Sequence, residues 1–396
     1  MKTLVTLLVY FGMASSAASE LLFWHQKEEA RAWFPQVAQQ YEAATGVRVK
    51  VSFLPTGELK TNLMRAVFDG NSPNVALVPA DFIGDYRRLG LTPLGDDVFA
   101  EGMPPPALNL ATYDGSRYGV PLLGGNHLML FYNKKFIDKP ATTWRDLVAQ
   151  RDMVESKGVK LIGWKFGEMY WFASFLPAFG AFPVNDNQIT LNTPETQRAL
   201  TFYKQIADDG LVDSSCGYDC SFEDFKTGKF AYVINGDWAF KDMSNSLAKD
   251  FGVTLLPSID GRPMKPMFSG MVLIFPNQDF DGETGKRLTD FAQYLQSQTM
   301  QQRFYDELGA LPVHPTVVEH IQQSATDNMK ALLEQLKQAK AAPPTPAMAA
   351  AWIGMRKGFE LYMSGHGTVE QATQLMQRFS EHELKKAQSA SLKSVD

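Results

Sequence analysis

The feature that most constrains the fold is an alternation of short apolar runs with helical segments. Residues 21–24 form an apolar run, residues 30–44 have a helical pattern, and residues 47–51 alternate apolar and polar side chains as a strand does. Strands that alternate with helices of about 10 to 15 residues are typical of βαβ units and of a largely parallel sheet. The opening of the chain therefore predicts an α/β architecture.

The same alternation returns in the middle of the chain. The further predicted elements are a helix at residues 58–68, a strand at 75–78, a helix at 194–209, a strand at 230–234, a helix from about Asp237, and strands at 253–256 and 271–275. A chain of 396 residues is long enough for two or three domains, at roughly 100 to 200 residues each. We predict that the α/β architecture occurs twice.

From residue 283 onward the pattern is helical only. The predicted helices cover residues 283–296, 300–308, 317–325, 329–340, 348–363 and 369–386. A tail without strands cannot build a third βαβ domain, so we expect its apolar faces to pack on the two sheets. Thr345 followed by Pro346 suits an N-cap and a first-turn proline, which predicts that a helix restarts there.

Residues 1–18 have the order of a secretory signal peptide. Lys2 is followed by the apolar residues 4–13 and by small residues that end in Ser16-Ala17-Ala18, the expected cleavage site. The apolar run is too short to span a bilayer, and no cysteine follows it to carry a lipid. We expect a soluble periplasmic protein that is cleaved near Ala18 and is not a lipoprotein.

The charge distribution excludes one class of partner. The formal net charge is −5, and Lys and Arg are dispersed along the chain. A mildly acidic chain without a basic stripe is a poor match to a phosphate backbone. We therefore expect no nucleic-acid partner.

Two cysteines are present, Cys216 and Cys220, and the residues between them include a Gly and an Asp that favour a turn. In an oxidising compartment such a pair is expected to form a local disulfide. A metal pair is the alternative, but no histidine or further cysteine lies nearby to complete a coordination sphere. Because the closed loop is so short, it constrains the unfolded chain little, and the predicted role is structural.

Seven short phrases stand out along the chain, namely Ala44-Thr-Gly-Val-Arg-Val49, Tyr118-Gly-Val-Pro121, Leu130-Phe-Tyr-Asn-Lys134, Thr143-Trp144, Phe225-Lys-Thr-Gly-Lys-Phe230, Val233-Ile-Asn-Gly-Asp-Trp238 and Phe251-Gly-Val-Thr-Leu-Leu-Pro257. They resemble the extracellular solute-binding proteins of family 1, which serve ABC importers, and in particular the maltose- and maltodextrin-binding members. They occur in the family's order and spacing over almost the whole chain after the signal peptide. The resemblance implies a receptor for a sugar or oligosaccharide, without a cofactor and without catalysis.

The resemblance also implies the periplasmic-binding-protein arrangement of two α/β lobes, joined by crossing hinge segments around a cleft that closes on its ligand. One lobe would cover residues 19–125 plus 272–325, and the other would cover 126–271 plus 326–396. The implied partners are the sugar itself and an inner-membrane ABC permease, with a chemoreceptor as a further candidate. The receptor is expected to be a monomer.

A sugar receptor needs aromatic rings for the apolar faces of a pyranose and fixed polar groups for its hydroxyls. Glu168 and Tyr170 match an acidic and an aromatic contact of the maltose-binding pattern, and Trp238 and Trp352 match two stacking rings. Trp171, beside Tyr170, is a fifth candidate. Each has a structural alternative, because large aromatic residues are often core residues and a glutamate is usually a solvated surface acid.

Four further positions match the pattern less closely. Lys27 and Glu28 lie near the family's charged contacts, although an ordinary helix start also explains them. Asp81 matches an acidic contact, but residues 78–80 read Val-Pro-Ala where the family has a tryptophan. Asn126 lies near the family's hinge-side glutamate. These two departures remove one stacking ring and one carboxylate, and they leave the oligosaccharide class intact.

Two alternatives stay open at this point. A secreted glycoside hydrolase would use the same aromatic residues with two carboxylates, and Asp237, Glu168 and Asp81 supply acids. The same fold could instead bind a polyol, a phosphorylated polyol or a polyamine. The sequence contains no motif of a serine hydrolase, zinc protease or nucleotide-binding loop, and its six histidines lack the spacing of metal ligands or of a catalytic triad.

Overall fold

Two main β-sheets form the framework of the computed structural model, which describes residues 20–389; the predicted signal peptide lies outside this range. Their strands are β1 (Leu21–His25), β2 (Val49–Phe53), β3 (Val75–Pro79), β4 (Val120–Leu123), β5 (Leu128–Asn133), β6 (Lys160–Gly163), β7 (Phe230–Gly236), β8 (Phe251–Thr254) and β9 (Met271–Ile274). The first sheet has the order β2-β1-β3-β9-β4, and the second has the order β8-β5-β7-β6. The predicted double α/β architecture is present.

In each sheet one strand runs opposite to the others. β9 is antiparallel to both β3 and β4 in the first sheet, and β5 is antiparallel to both β7 and β8 in the second. β5 and β9 are the strands that the chain enters directly after passing from one sheet to the other. The remaining strands of both sheets therefore end at the seam between the two sheets, where open α/β sheets place their ligands.

Helices cover the outer faces of the sheets. They are α1 (Trp33–Thr45), α2 (Thr56–Phe68), α3 (Pro105–Leu110), α4 (Trp144–Ala149), α5 (Arg151–Glu155), α6 (Met169–Ala173), α7 (Pro194–Asp208), α8 (Tyr218–Lys226), α9 (Phe240–Leu247), α10 (Gly282–Gln296), α11 (Gln298–Leu308), α12 (Pro315–Ser324), α13 (Asp327–Gln338), α14 (Pro346–Met363) and α15 (Val369–Ser389). Local signals set several of their ends. α1 stops at Gly46, which adopts φ 74° and so leaves the helix without the penalty of a Cβ.

The predicted restart of a helix after the proline-rich break is confirmed. The Thr345 hydroxyl accepts the backbone N–H of Met348 at 3.2 Å, and Pro346 occupies the first turn of α14. α14 then packs closely on α15, because a Cβ at Gly354 would lie 2.0 Å from the Ser380 hydroxyl oxygen. Small side chains thus allow these two helices to approach.

The helical tail packs on both sheets, as its apolar faces predict. Leu288 of α10 and Phe304 of α11 join the core of the first sheet. Val317 of α12 and Met329 of α13 join a core of the second sheet, and Met348 of α14 joins its other face. α12 lies within residues 272–325, which the resemblance assigned to the first lobe, yet its buried side chains contact the second.

Cys216 and Cys220 form the predicted disulfide, with their Cα atoms 5.4 Å apart. Cys216 precedes α8, and Cys220 lies in its first turn. The bridge therefore ties the incoming chain to the start of that helix. Phe225 of the same helix is fully buried beside Phe131 and Phe230 of the second sheet.

Candidate functional site

Within residues 20–389, three segments of chain cross between the sheets, and they lie side by side. They are residues 124–127 between β4 and β5, residues 267–270 before β9, and residues 309–314 between α11 and α12. The N–H of Gly124 donates to the carbonyl of Leu311 at 2.8 Å, which joins the first segment to the third. We call these three segments the hinge belt.

The first and second segments of the hinge belt are also bonded to each other. The N–H of Gly270 donates to the carbonyl of Gly125 at 3.0 Å. The side-chain amide of Asn126 donates to the Ser269 hydroxyl, and His127 forms a β-bridge with Phe268. Any rotation of one sheet relative to the other must be taken up by backbone torsions within this narrow belt.

The carboxylate of Asp237 accepts hydrogen bonds from the first crossing segment. This side chain is 5% exposed, and its oxygens accept the N–H of Asn126 at 3.0 Å and the N–H of His127 at 3.2 Å. The space opposite the carboxylate is closed, since a Cβ at Gly125 would lie 1.8 Å from its nearer oxygen. A buried carboxylate that accepts backbone N–H groups is satisfied electrostatically and fixes the local backbone.

Asp237 directly precedes Trp238, and this tryptophan belongs to a group of four aromatic rings at the seam. The Trp171 and Trp238 ring centroids are 6.0 Å apart, those of Tyr170 and Trp238 are 6.4 Å apart, and those of Tyr170 and Trp352 are 6.2 Å apart. Tyr170, Trp238 and Trp352 are half-buried, whereas Trp171 is 5% exposed. The sequence-predicted rings are therefore brought together, although they come from three distant stretches of chain.

The Tyr170 hydroxyl reaches the hinge belt. It lies within hydrogen-bonding distance of two backbone carbonyls, that of Asn126 and, at 2.9 Å, that of Met267. Burial, together with the nearby carboxylates of Asp237 and Asp81, raises the pKa of the Tyr170 phenol well above its ordinary value. The hydroxyl therefore stays protonated and acts as a donor between the first two crossing segments.

Asp81 makes a contact that spans the seam. It follows β3 of the first sheet, and its Oδ2 accepts the indole N–H of Trp352 of α14 at 2.9 Å. Burial raises the pKa of the Asp81 carboxyl above its ordinary value, while Lys60 opposes this shift. The Trp352 ring is thus held between its own helix and the first sheet.

Glu168 lies at the margin of the aromatic group. Its carboxylate caps α6 by accepting the N–H of Met169 at 3.1 Å, and it pairs with Lys165 at 3.3 Å and with Arg356 of α14 at 3.7 Å. It is neither a free surface acid nor a core residue. It links the loop after β6 to the helix that carries Trp352.

Lys27 and Glu28 differ in their placement. Lys27 is 9% exposed, forms an ion pair with Glu29, and borders a small cavity at the hinge belt together with Asn126 and Trp238. Glu28 is exposed and faces Arg31 at 3.5 Å. The structure therefore brings Lys27 and Asn126 to the site, while the Glu28 side chain is exposed to solvent.

His25 ends β1 just before Lys27 and is fully buried. Neither ring nitrogen has a hydrogen-bond partner among residues 20–389. The ring lies instead against Phe34, with centroids 4.7 Å apart, and against Phe53 at 5.7 Å. Burial, assisted by the charge of Lys27, lowers the pKa of His25 to about 4, so the imidazole is neutral at physiological pH.

Two residues of the site were not predicted to be part of it. Asp237 was predicted only as a possible catalytic acid, and its role at the hinge belt depends on contacts with residues more than a hundred positions earlier. Tyr218 was not a candidate, yet its hydroxyl accepts the indole N–H of Trp238 at 3.0 Å. The signal that could have drawn attention to Tyr218 is its position between the two cysteines.

Within residues 20–389, no group of three or more His, Cys, Asp or Glu side chains is arranged to hold a metal ion. None of the helices in that range combines the length and the apolar character of a bilayer span.

Comparison with known proteins extends these observations. Residues 36–332 match the family model of the bacterial extracellular solute-binding proteins. The maltotriose-binding protein of Pyrococcus abyssi (strain GE5 / Orsay) is 23% identical over 395 residues, which cover 95% of this chain and 84% of the relative. The maltodextrin-binding protein MdxE of Bacillus subtilis (strain 168) is 22% identical over 361 residues, which cover 86% and 84% of the two chains.

A third relative and a solved structure agree with these two. The maltooligosaccharide ABC transporter solute-binding lipoprotein of Streptococcus pneumoniae (strain ATCC BAA-255 / R6) is 23% identical over 367 residues, which cover 86% of this chain and 83% of the relative. The maltose/maltodextrin-binding domain MalE from Bdellovibrio bacteriovorus, solved bound to maltotriose, superposes with a TM-score of 0.85 at 25% identity. That superposition covers 93% of this chain and 100% of the other.

Proposed function

The chain belongs to the bacterial extracellular solute-binding protein family, and from this premise we propose that it captures a malto-oligosaccharide-like sugar for an ABC importer by closing two lobes around it. Members of this family are exported binding proteins. Relatives named for maltotriose, maltodextrin and maltooligosaccharide binding support the ligand class. The observation that carries the proposal is the group of aromatic rings at the seam, bonded through Trp352 to Asp81 of the first sheet.

The chemistry of this group fits a sugar. Tyr170, Trp238 and Trp352 offer ring faces for the C–H faces of pyranose units, and the Trp171 ring packs against Tyr170 and Trp238. Asp81, Glu168, Asn126 and Lys27 supply acceptors and donors for hydroxyl groups. Glu28 remains a prediction that rests on the resemblance alone, because its side chain faces solvent.

We propose that the lobes divide at the hinge belt. One lobe comprises residues 20–125 with 270–310, and the other comprises 126–269 with the chain from about residue 311. Sequence reasoning placed the last crossing between the lobes near residue 325. We propose that it lies near residue 310 instead, because Val317 of α12 is buried in the core of the second sheet. A ligand that touches both lobes contacts more protein in the closed state, and this difference in contact drives closure.

The site supports binding without turnover. A glycoside hydrolase needs one carboxylic acid and one free carboxylate on either side of the bond that it cleaves. Here Asp237 is engaged by backbone N–H groups and Asp81 by the Trp352 indole. Glu168 is engaged in a helix cap and in two ion pairs. Carboxyl groups that are already hydrogen-bonded or ion-paired in these ways suit recognition of hydroxyl groups better than acid–base chemistry.

The remaining features follow from the family. We propose a monomeric receptor in the periplasm, with an inner-membrane permease as its partner. A chemoreceptor that binds the closed form is a second proposed partner. The Streptococcus pneumoniae relative is named a lipoprotein. In this chain both cysteines are joined to each other, which supports our proposal that the protein carries no lipid on cysteine.

The proposal is tested by titration calorimetry with maltose, maltotriose and maltotetraose, alongside cellotriose, trehalose, sorbitol, sorbitol 6-phosphate and spermidine. We expect micromolar or tighter binding of a malto-oligosaccharide, which corresponds to about −8 kcal/mol or more favourable, with one ligand per chain. Labelled maltotriose should be recovered intact after prolonged incubation. Binding of only a polyol or polyamine, or steady release of shorter sugars, would contradict the proposal.

A further inference from the structure

We propose that the Cys216–Cys220 disulfide and Tyr218, which it encloses, act together as a positioning unit for Trp238, so that breaking the S–S bond weakens sugar binding without unfolding the protein. The inference rests on the proposed function for its ligand, and it assigns to the disulfide a role beyond local structure.

Tyr218 contacts the aromatic group directly. Its hydroxyl accepts the indole N–H of Trp238 at 3.0 Å, and its ring meets the edge of Trp171 with centroids 6.5 Å apart at an interplanar angle of 70°. On its other side the ring stacks on Phe222 at 5.3 Å and 18°. Tyr218 therefore holds Trp238 through a directional bond, and it is itself braced on two sides.

The position of Tyr218 depends in turn on the first turn of α8. That helix is nine residues long, and helices of this length are marginal without outside support. Gly217, at the N-cap position, provides no side-chain cap, so the usual means of fixing the first turn is missing. The disulfide links the residue before Gly217 to the third residue of the helix, and it is the covalent element that holds this turn.

Trp238 is fixed from two directions. Asp237, the preceding residue, accepts hydrogen bonds from the N–H groups of Asn126 and His127 in the hinge belt. The indole N–H of Trp238 itself donates to the Tyr218 hydroxyl. Losing the second of these contacts removes the hydrogen bond to the indole N–H, so that only packing against Gly236, Tyr170 and Trp171 then orients the ring. A ring that must be ordered at the moment of binding costs conformational entropy, and this lowers affinity.

The first test uses reduction, because the chain contains only two cysteines. A dithiol reagent converts the S–S bond to two thiols and is itself oxidised to a cyclic disulfide. We expect the affinity for maltotriose to fall roughly three- to tenfold on reduction, in line with the loss of one buried hydrogen bond. Cys216→Ala/Cys220→Ala should show the same weakened affinity and should not respond to the reagent. Unchanged affinity in reduced, folded protein would overturn the inference.

The second test is a double-mutant cycle. Tyr218→Phe keeps the ring and removes the hydroxyl, and we expect a similar three- to tenfold loss of affinity for maltotriose. In a Trp238→Phe background the indole N–H is already absent, so the further change Tyr218→Phe should have almost no effect. A merely structural role for Tyr218 predicts additive losses instead.

The third test needs no ligand, so it separates this inference from the proposed function. The emission of Trp238 is isolated as the difference between wild-type protein and Trp238→Phe. We expect this difference spectrum to shift in Tyr218→Phe and in Cys216→Ala/Cys220→Ala, while far-UV circular dichroism stays unchanged. If oxidised wild-type protein binds no malto-oligosaccharide, the proposed function fails, and the emission shift still decides the positioning role. A spectrum identical in all three proteins would refute that role.

Discussion

Trp238 and Trp352 present half-buried indoles at the seam, and the proposed site predicts that both stack on sugar rings. Trp238→Ala and Trp352→Ala should each weaken maltotriose binding by about 1 to 3 kcal/mol, because aromatic anchors in desolvated pockets commonly dominate binding energy. Titration calorimetry on the two variants measures this loss. Phe68→Ala is the matched control, since Phe68 is 91% exposed at the end of α2 that lies away from the seam. Wild-type affinity in both tryptophan variants would show that the site is assigned wrongly.

A second prediction at the same scale concerns His25 and pH. Because burial lowers its pKa to about 4, the folded state binds fewer protons than the unfolded state between roughly pH 6.5 and 4. The contribution of His25 to stability is therefore present above pH 6.5 and is lost as pH falls through this window. Relative to His25→Phe, wild-type protein should lose about 3 kcal/mol of unfolding free energy between pH 7 and 4. Urea titrations at the two pH values test this, and parallel behaviour of the two proteins would contradict it.

Single residues also show how much of the candidate site could be predicted from the sequence. Tyr170, Trp238 and Trp352 of the proposed site were candidates from local phrases, because each phrase contains the residue itself. Tyr218 and the contacts of Asp237 with the first crossing segment were not predicted, because they join positions that are distant in sequence or lie on another element. Glu28 stays a prediction from the resemblance, since its neighbourhood in sequence matches and its side chain is exposed.

Among the elements, the first crossing segment and the 3₁₀ turn that begins at Asp237 form one unit. Gly125→Ala places a Cβ 1.8 Å from the Asp237 carboxylate, and overpacking of this kind costs about 1 to 3 kcal/mol. Urea unfolding should register this loss. Gly57→Ala is the matched control, because nothing lies within 4 Å of a Cβ there, and its stability should be unchanged or slightly higher.

The same pair of elements provides an internal check. Asp237→Ala removes the acceptor for two backbone N–H groups and should cost about 1 to 3 kcal/mol by itself. Combined with Gly125→Ala, however, it also removes the atom that the new methyl group would meet. The two losses should therefore be clearly less than additive. Strict additivity would mean that the carboxylate and the glycine do not share one tight contact.

The elements with a clear period or end signal were predictable, because such signals are local, whereas β4, β5 and β6 were not predicted. Every strand predicted from alternation exists, and α2, α7 and α14 lie within a few residues of their expected bounds. The sheet in which each tail helix would lie was not predictable from periodicity. α12 has an apolar face that suits either sheet, and only the packed structure shows that it joins the second.

For the whole molecule, the hinge belt predicts a change in shape on binding. Saturating maltotriose should lower the radius of gyration measured by small-angle X-ray scattering, because a ligand that contacts both lobes favours the closed state. The control is Trp238→Ala/Trp352→Ala at the same sugar concentration, where the decrease should be smaller or absent. Superimposable profiles for wild-type protein with and without sugar would contradict hinge closure.

The order of the strands has a further consequence, for how the protein is made. β9 sits between β3 and β4 in the first sheet, but the chain reaches its last residue only at position 274 of 396. The second sheet, by contrast, is complete by Thr254. Until residue 274 has been synthesised, β3 and β4 have no neighbour on their facing edges. A chain that is emerging from the ribosome therefore cannot complete its first lobe. The order of translation thus keeps the first lobe incomplete for most of synthesis. Over the same interval an exported chain has to stay unfolded in order to be translocated.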